Sequence, residues 1–184
     1  RHHRDPQHAG NDPAGAEAML RWALARADEG RVEGPVRRAR ILHGLLMCHD
    51  AAGSLEGVEF YADQYTRARA AAPEDATLAD VWCRLGTHRL RRNPDDSNAY
   101  DLLGRSIALA ARSGASPRLP ARAHLEMGRA LLARRQYSGA LRSFQAGLEA
   151  CSAAADPELR AQIEAEFARA GREWALVIQS RPRS

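Results

Sequence analysis

Few residues of this 184-residue chain combine a reactive type with a useful spacing. Cys48-His49-Asp50 sets a thiol beside an imidazole and a carboxylate, the groups of a nucleophilic site. On a helix, however, neighbours in sequence point about 100° apart and cannot face one another. Cys48 also falls where helix packing wants a small apolar residue, so it reads as a buried thiol. Cys83 and His88 stand five apart, and there is no CxxC or HExxH motif, so no metal site is expected there. Cys151 reads as core or half-exposed, and His43 and His124 read as satisfied structural histidines on helix-packing positions. The glycines stand singly, so no loop can cradle a phosphate. These residues point away from an enzyme and call for no cofactor. His2, His3 and His8 in the polar stretch Arg1 to Asn11 could hold a metal loosely, but the plainer reading is a solvated lead-in.

The arginines are a different matter. All 27 basic residues are Arg, against 23 acidic ones, for a formal charge of +4. Hydrophobic residues make up 45% and charged ones 27%, which suits a folded globular chain rather than a disordered one. A chain of this length buries roughly 70% of its unfolded surface as one medium domain or a short repeat array. No apolar run is long enough for a membrane-spanning helix. Three cysteines make no disulfide framework and fit a reducing compartment, so a cytoplasmic location is expected. The start at Arg1 suggests an excised or processed piece, and no charged-then-apolar leader is visible before the first helix.

Apolar residues recur every three or four positions nearly throughout, and no stretch alternates with period two, so the chain reads as all-α. Breakers cut it into about eight helices. Asp12-Pro13 opens the first, and Gly30 and Gly34 end it. Pro35 opens the second, which Gly53 stops. Ser54 caps the third, Pro73 opens the fourth and Ser97 caps the fifth, which Gly114 stops. Ser116-Pro117 begins the sixth, Tyr137 to about Ser152 makes the seventh, and Asp156-Pro157 opens the last and longest.

Self-comparison shows a repeat. Gly44, Gly86 and Gly128 are 42 residues apart, each in the middle of the first helix of a pair. Gly57, Ala99 and Ala140 fall in step on the second helices, as do Tyr61, Leu103 and Phe144 with a one-residue slip. A small residue lets a neighbouring helix approach, and a bulky one four positions on fills the gap, as stacked hairpins require. Ala123-His124-Leu125-Glu126-Met127-Gly128-Arg129-Ala130-Leu131, followed by Tyr137, Ala140, Phe144, Gly147 and Leu148, resembles a tetratricopeptide repeat. Trp82, Leu85, Gly86, Ala99 and Leu103 match it in the preceding unit, and Leu42, Gly57 and Tyr61 more loosely in the one before. The long spacing is similar to elongated repeats in the sensor regions of large bacterial signalling regulators and in kinesin light chains.

The resemblance implies a right-handed superhelical array of antiparallel helix pairs, a tetratricopeptide-like α-solenoid. Its expected layout is a lead-in at 1–11 and a single domain at 12–179. That domain holds a half repeat (12–30), repeats at 35–72, 73–114 and 116–153, and a capping helix at 156–179, with a tail at 180–184. The capping helix could instead offer its apolar stripe to a partner. In this family the first helices line a concave groove. Carried over, the partner-binding residues are Arg38, Ile41 and Leu45, then Arg91, then Arg122, Leu125, Arg129 and Leu132, with Cys48, His49, Asp80, Cys83, Thr87 and Leu90 on the same lining. Arginine grips carboxylates bidentately, so the expected partner is a protein or peptide with an acidic, amphipathic segment. The alternative for the same residues is a solvated or intramolecularly paired face. The function expected is a non-catalytic interaction module, scaffold or sensor, within a larger regulator. The second choice is a nucleic-acid-binding repeat, for which Arg89, Arg91, Arg92, Arg134 and Arg135 and a pI of about 9.4 speak. Self-association through the terminal helices is a further expectation, and contact with a membrane is not expected.

Overall fold

The computed structural model describes residues 13–29 and 35–180. His2, His3, His8, the Asp12 cap, Gly30, Gly34 and the tail from residue 181 lie outside the described residues. The described residues are all-α, with no strand. The helices are α1 (Pro13–Asp28), α2 (Pro35–Ala51), α3 (Leu55–Ala68), α4 (Ala76–Arg92), α5 (Ser97–Ser113), α6 (Arg118–Ala133), α7 (Tyr137–Ala154) and α8 (Pro157–Gln179). None is long and apolar enough to cross a membrane.

Local chemistry explains most of these boundaries. Ser54 Oγ accepts from Gly57 N–H at 3.2 Å, and Asp156 Oδ1 accepts from Leu159 N–H at 3.0 Å beside Pro157 in the first turn. Gly53 and Gly114 take positive φ where α2 and α5 stop, a conformation that costs glycine nothing. Two starts differ from expectation. α4 starts at Ala76 rather than at Pro73, because the Asp75 carboxylate caps it by accepting from Leu78 N–H at 3.0 Å. Asp96 rather than Ser97 caps α5, its carboxylate accepting from Ala99 N–H at 3.2 Å and adding a negative charge at the positive end of the helix.

Where a single array over 12–179 is expected, the contacts gather into two compact units that divide between Ala72 and Pro73. In the first, α1 packs on α2 and α2 on α3, around buried Leu42, Leu45, Leu46, Val58, Tyr61, Ala62 and Tyr65. In the second, α4 pairs with α5 and α6 with α7, and α6 rests on both members of the pair before it. α8 then rests on α7 and α6 as the first helix of a further pair would.

The glycines show why the pairs close. A Cβ on Gly86 would stand 2.8 Å from Leu103 Cγ, and one on Gly128 would run into the Phe144 ring, so each glycine admits the bulky residue of its own partner helix. Gly44 does not repeat this arrangement. It faces Leu20 of α1, while Tyr61 lies 5.1 Å from the His49 ring and Gly57 makes room for that imidazole. The first hairpin is therefore registered differently from the later two, although its sequence keeps their period.

Candidate ligand-binding cleft

α6 packs against α4, α5, α7 and α8. Along one strip of α6 Arg118, Arg122, Leu125, Glu126 and Arg129 follow one another at helical spacing. With Asp80, Arg84 and Arg91 of α4 and Glu158, Leu159 and Gln162 of α8, they line a cleft of about 480 Å³. Only the first helices of successive pairs contribute to it, apart from Ser116 in the loop before α6. Its floor is leucine: Leu119 is half-buried, and Leu125 and Leu159 are buried.

Five arginines converge on this cleft, and the protein itself holds most of them. Glu126 lines the cleft but is itself buried, and its charge must be compensated there. Arg91 donates to both its oxygens, Nη2 to Oε1 at 2.6 Å and Nε to Oε2 at 3.1 Å. Arg129 Nη1 donates to Oε1 at 3.1 Å, and its Nε donates to Glu166 at 3.0 Å. This cluster separates the main cleft from a smaller cavity of about 240 Å³ that extends to Leu90, Pro94 and Ala133. At the other end, Arg84 pairs with Asp80 at 2.7 Å and Arg118 with Asp156 at 2.8 Å. The Arg118 side chain is nonetheless 68% exposed and belongs to the mouth of the cleft. Arg122 is half-buried between Arg118 and Leu125 on the same strip.

The structure thus brings Arg91, Arg122, Leu125 and Arg129 together on one cleft. It corrects the roles of others. Leu132 is buried in the α6–α7–α8 core rather than in the cleft: it shares a face with Leu125 but stands two turns further along α6, past Arg129, where the cleft's lining on this helix ends. Leu45 is buried in the core of the first unit, and Ile41 is half-buried. Arg38 Nε donates to Asp28 at 2.9 Å, closing α2 on the end of α1. Cys83, Thr87 and Leu90 are buried as well. Arg84, Arg118 and Glu126 escaped the sequence reading. The i, i+4 spacing of Arg118 and Arg122, one turn before the repeat motif, is the signal that could have found them.

The reactive groups have structural settings. The Cys83 thiol is pushed up to about 12, chiefly by burial, so thiolate is absent at neutral pH. Cys151 is pushed up too, by burial and then by Asp156. The Nε2 of His49 lies 3.4 Å from Glu17 and its ring against Tyr61, so the imidazole serves packing in the first unit. His124 departs from a satisfied histidine: its Nδ1 is buried without a hydrogen-bond partner, and burial holds its pKa below the ordinary value against the opposing pull of Glu149. Of the arginine runs, Arg134 pairs with Asp95 at 2.7 Å, and Arg89 reaches Asp96 at 3.8 Å. Trp82 is buried and already carries Arg105 on its ring at 4.1 Å.

No family model matches the chain, and no curated protein matches it. Among solved structures it is similar to BtubC (BKLC) from P. vanneervenii, with a TM-score of 0.63 and 18% identity over 97% of this chain and 79% of that one. At that identity the likeness concerns the fold.

Proposed function

We propose that the chain is a non-catalytic, tetratricopeptide-like interaction module. Its second unit would bind a peptide or helix carrying carboxylates and apolar side chains, as the scaffold or sensor part of a larger regulatory protein. The observation that carries this reading is the convergence of five arginines from α4 and α6 on one leucine-floored cleft. The roles divide. Arg91 and Arg129 are held by Glu126 and shape the cleft, while Arg118, paired with Asp156 but 68% exposed, stands at its mouth with half-buried Arg122 one turn behind it, where a ligand carboxylate can compete for a guanidinium. Leu119 and Leu159 would receive the apolar side chains of the partner. Three free thiols suit the reducing interior of a cell, and a cytoplasmic location belongs to the same proposal.

The nucleic-acid reading draws on the same arginines but is less well supported. Asp80, Glu126 and Glu158 sit among them and would repel phosphates, and Trp82 offers no free ring for a base. Selection of displayed random peptides on the immobilised full chain tests the choice. Enrichment of acidic-apolar sequences, lost with Arg118→Glu/Arg122→Glu, is the expected result. Salt-sensitive binding of a mixed-sequence oligonucleotide without peptide enrichment would favour the alternative.

A further inference from the structure

The lining of the main cleft ends on α6 at Arg129, but the strip that carries it runs on. Ala130 and Ala133 follow Glu126 and Arg129 by one turn, and with Leu90 and Pro94 they line the second cavity of about 240 Å³. That cavity lies wholly between α4, the loop after it and α6. The two cavities share Arg91, Glu126 and Arg129, so they are successive compartments of one groove. Their chemistry differs. The first opens on Arg84, Arg118 and Arg122. In the second the charged groups are those of the shared cluster, where Arg91 and Arg129 already donate to buried Glu126. The rest of its lining is leucine, proline and alanine. Its volume is below the roughly 300–1,000 Å³ that holds a whole small ligand, and suits a single side chain.

The spacing along this strip selects the conformation of what lies in it. Arg118 and Arg122 are one turn apart, about 6 Å, and the middle of the second cavity, between Ala130 and Ala133, is about 20 Å beyond Arg118. An extended segment advances about 3.3 Å per residue and turns alternate side chains to the same face. Its residues i and i+2 therefore come level with the two arginines, i+4 with the ion cluster and i+6 with the second cavity. All four share one face. α4 and α6 pack directly on one another, and the axes of contacting helices stand about 8–10 Å apart. A helical ligand, about 10–12 Å across with its side chains, is too wide to sink between them and reach past the cluster.

We propose that the partner lies along α6 as an extended segment, with carboxylates at i and i+2, a small uncharged residue at i+4 and an apolar side chain at i+6 seated against Leu90, Pro94, Ala130 and Ala133. This arrangement rests on the proposed function, since the same mouth holds the carboxylates, and it adds the contact that sets specificity. Only a segment with an apolar residue at the right reach gains the second contact, and that difference in affinity is the discrimination. An apolar residue at i+5 points away from the groove. A charged residue at i+4 is set beside groups that already satisfy one another, so it loses its water for no new partner.

Fluorescence anisotropy with two dye-labelled peptides of blocked termini, Glu-Ser-Glu-Ser-Ala-Ser-Leu and its reverse, tests this on the full chain. The tighter of the two gives the direction of the segment. Replacing its leucine by alanine, or exchanging that leucine with the neighbouring serine, should each weaken binding by about tenfold. Ala133→Trp fills the second cavity from the exposed end of α6, so the leucine and alanine peptides should bind this variant alike, with circular dichroism confirming the fold. Arg118→Glu/Arg122→Glu should weaken both peptides. A leucine that counts for the same at either position, or keeps its advantage in Ala133→Trp, would overturn the second subsite, while loss on charge reversal would leave the mouth of the cleft standing. No binding of either peptide by wild type, or binding untouched by charge reversal, would overturn both.

Discussion

The two units put one sequence period to different uses. In the second, the glycine of each first helix meets the bulky residue of its own partner, Leu103 or Phe144, and the pairs stack closely enough for three first helices to share a cleft. In the first, Gly44 turns to α1, the room beside Gly57 goes to His49, and Phe60 remains 57% exposed. A repeated pattern therefore marks where helices can approach. Which helix comes close depends on the side chains around the small residue. In the first hairpin the His49 imidazole of α2 sits against Gly57 and Tyr61 of α3, whereas in the later two Leu103 and Phe144 of the second helices sit against Gly86 and Gly128 of the first.

The largest expected effect lies where the later pairs close. Phe144→Ala empties the slot over Gly128 and should cost about 3–5 kcal/mol in urea unfolding, since the ring is fully buried. Next comes the ion cluster. Arg129→Glu sets a second carboxylate beside buried Glu126 and should cost up to about 3 kcal/mol, the low end for breaking a buried pair, because both guanidiniums reach solvent. The direct contrast is between glycines. Gly128→Ala meets a ring that cannot retreat and should destabilise by about 1–3 kcal/mol. At Gly44 the added methyl stands 3.1 Å from the end of half-buried Leu20, which can yield, while alanine gains about 1 kcal/mol of helix propensity, so Gly44→Ala should be close to neutral. Equal losses at the two positions would erase the distinction drawn between the units.

The smallest effect is one of pH. Burial favours the neutral form of His124, so the unfolded chain binds the proton more readily than the folded one. Its contribution is fully present above about pH 6.5 and is lost as pH falls from there through the lowered pKa. His124→Gln should flatten that part of the stability profile in urea titrations made at successive pH values.

Much of the fold was legible because breakers and caps act locally. Gly53, Gly114, Ser54 and Asp156-Pro157 each do what their chemistry requires without help from distant residues. The displaced caps at Asp75 and Asp96 show the limit: where several acceptors stand in a row, geometry picks the one that reaches the third amide. The cleft was legible only in part, since exposure depends on what surrounds a helix. Arg122, Leu125 and Arg129 share a face in any helix, but only the packing of α7 and α8 decides that Leu132 is core. Nothing in the local sequence says that Glu126 would be buried, or that Arg91, 35 residues away, would be spent on it.

The central claim is that the arginines at the mouth of the α4–α6–α8 cleft, rather than those bound to Glu126, hold a carboxylate-bearing partner. Calorimetric titration of a selected acidic-apolar peptide into the full chain tests it most directly, beside Arg118→Glu/Arg122→Glu and a peptide whose acidic residues are exchanged for arginine. The account predicts that the variant loses the original peptide by tenfold or more, equivalent to about 1.4 kcal/mol, and gains the charge-exchanged one while keeping its helical content. Undiminished binding of the original peptide by the folded variant would contradict it.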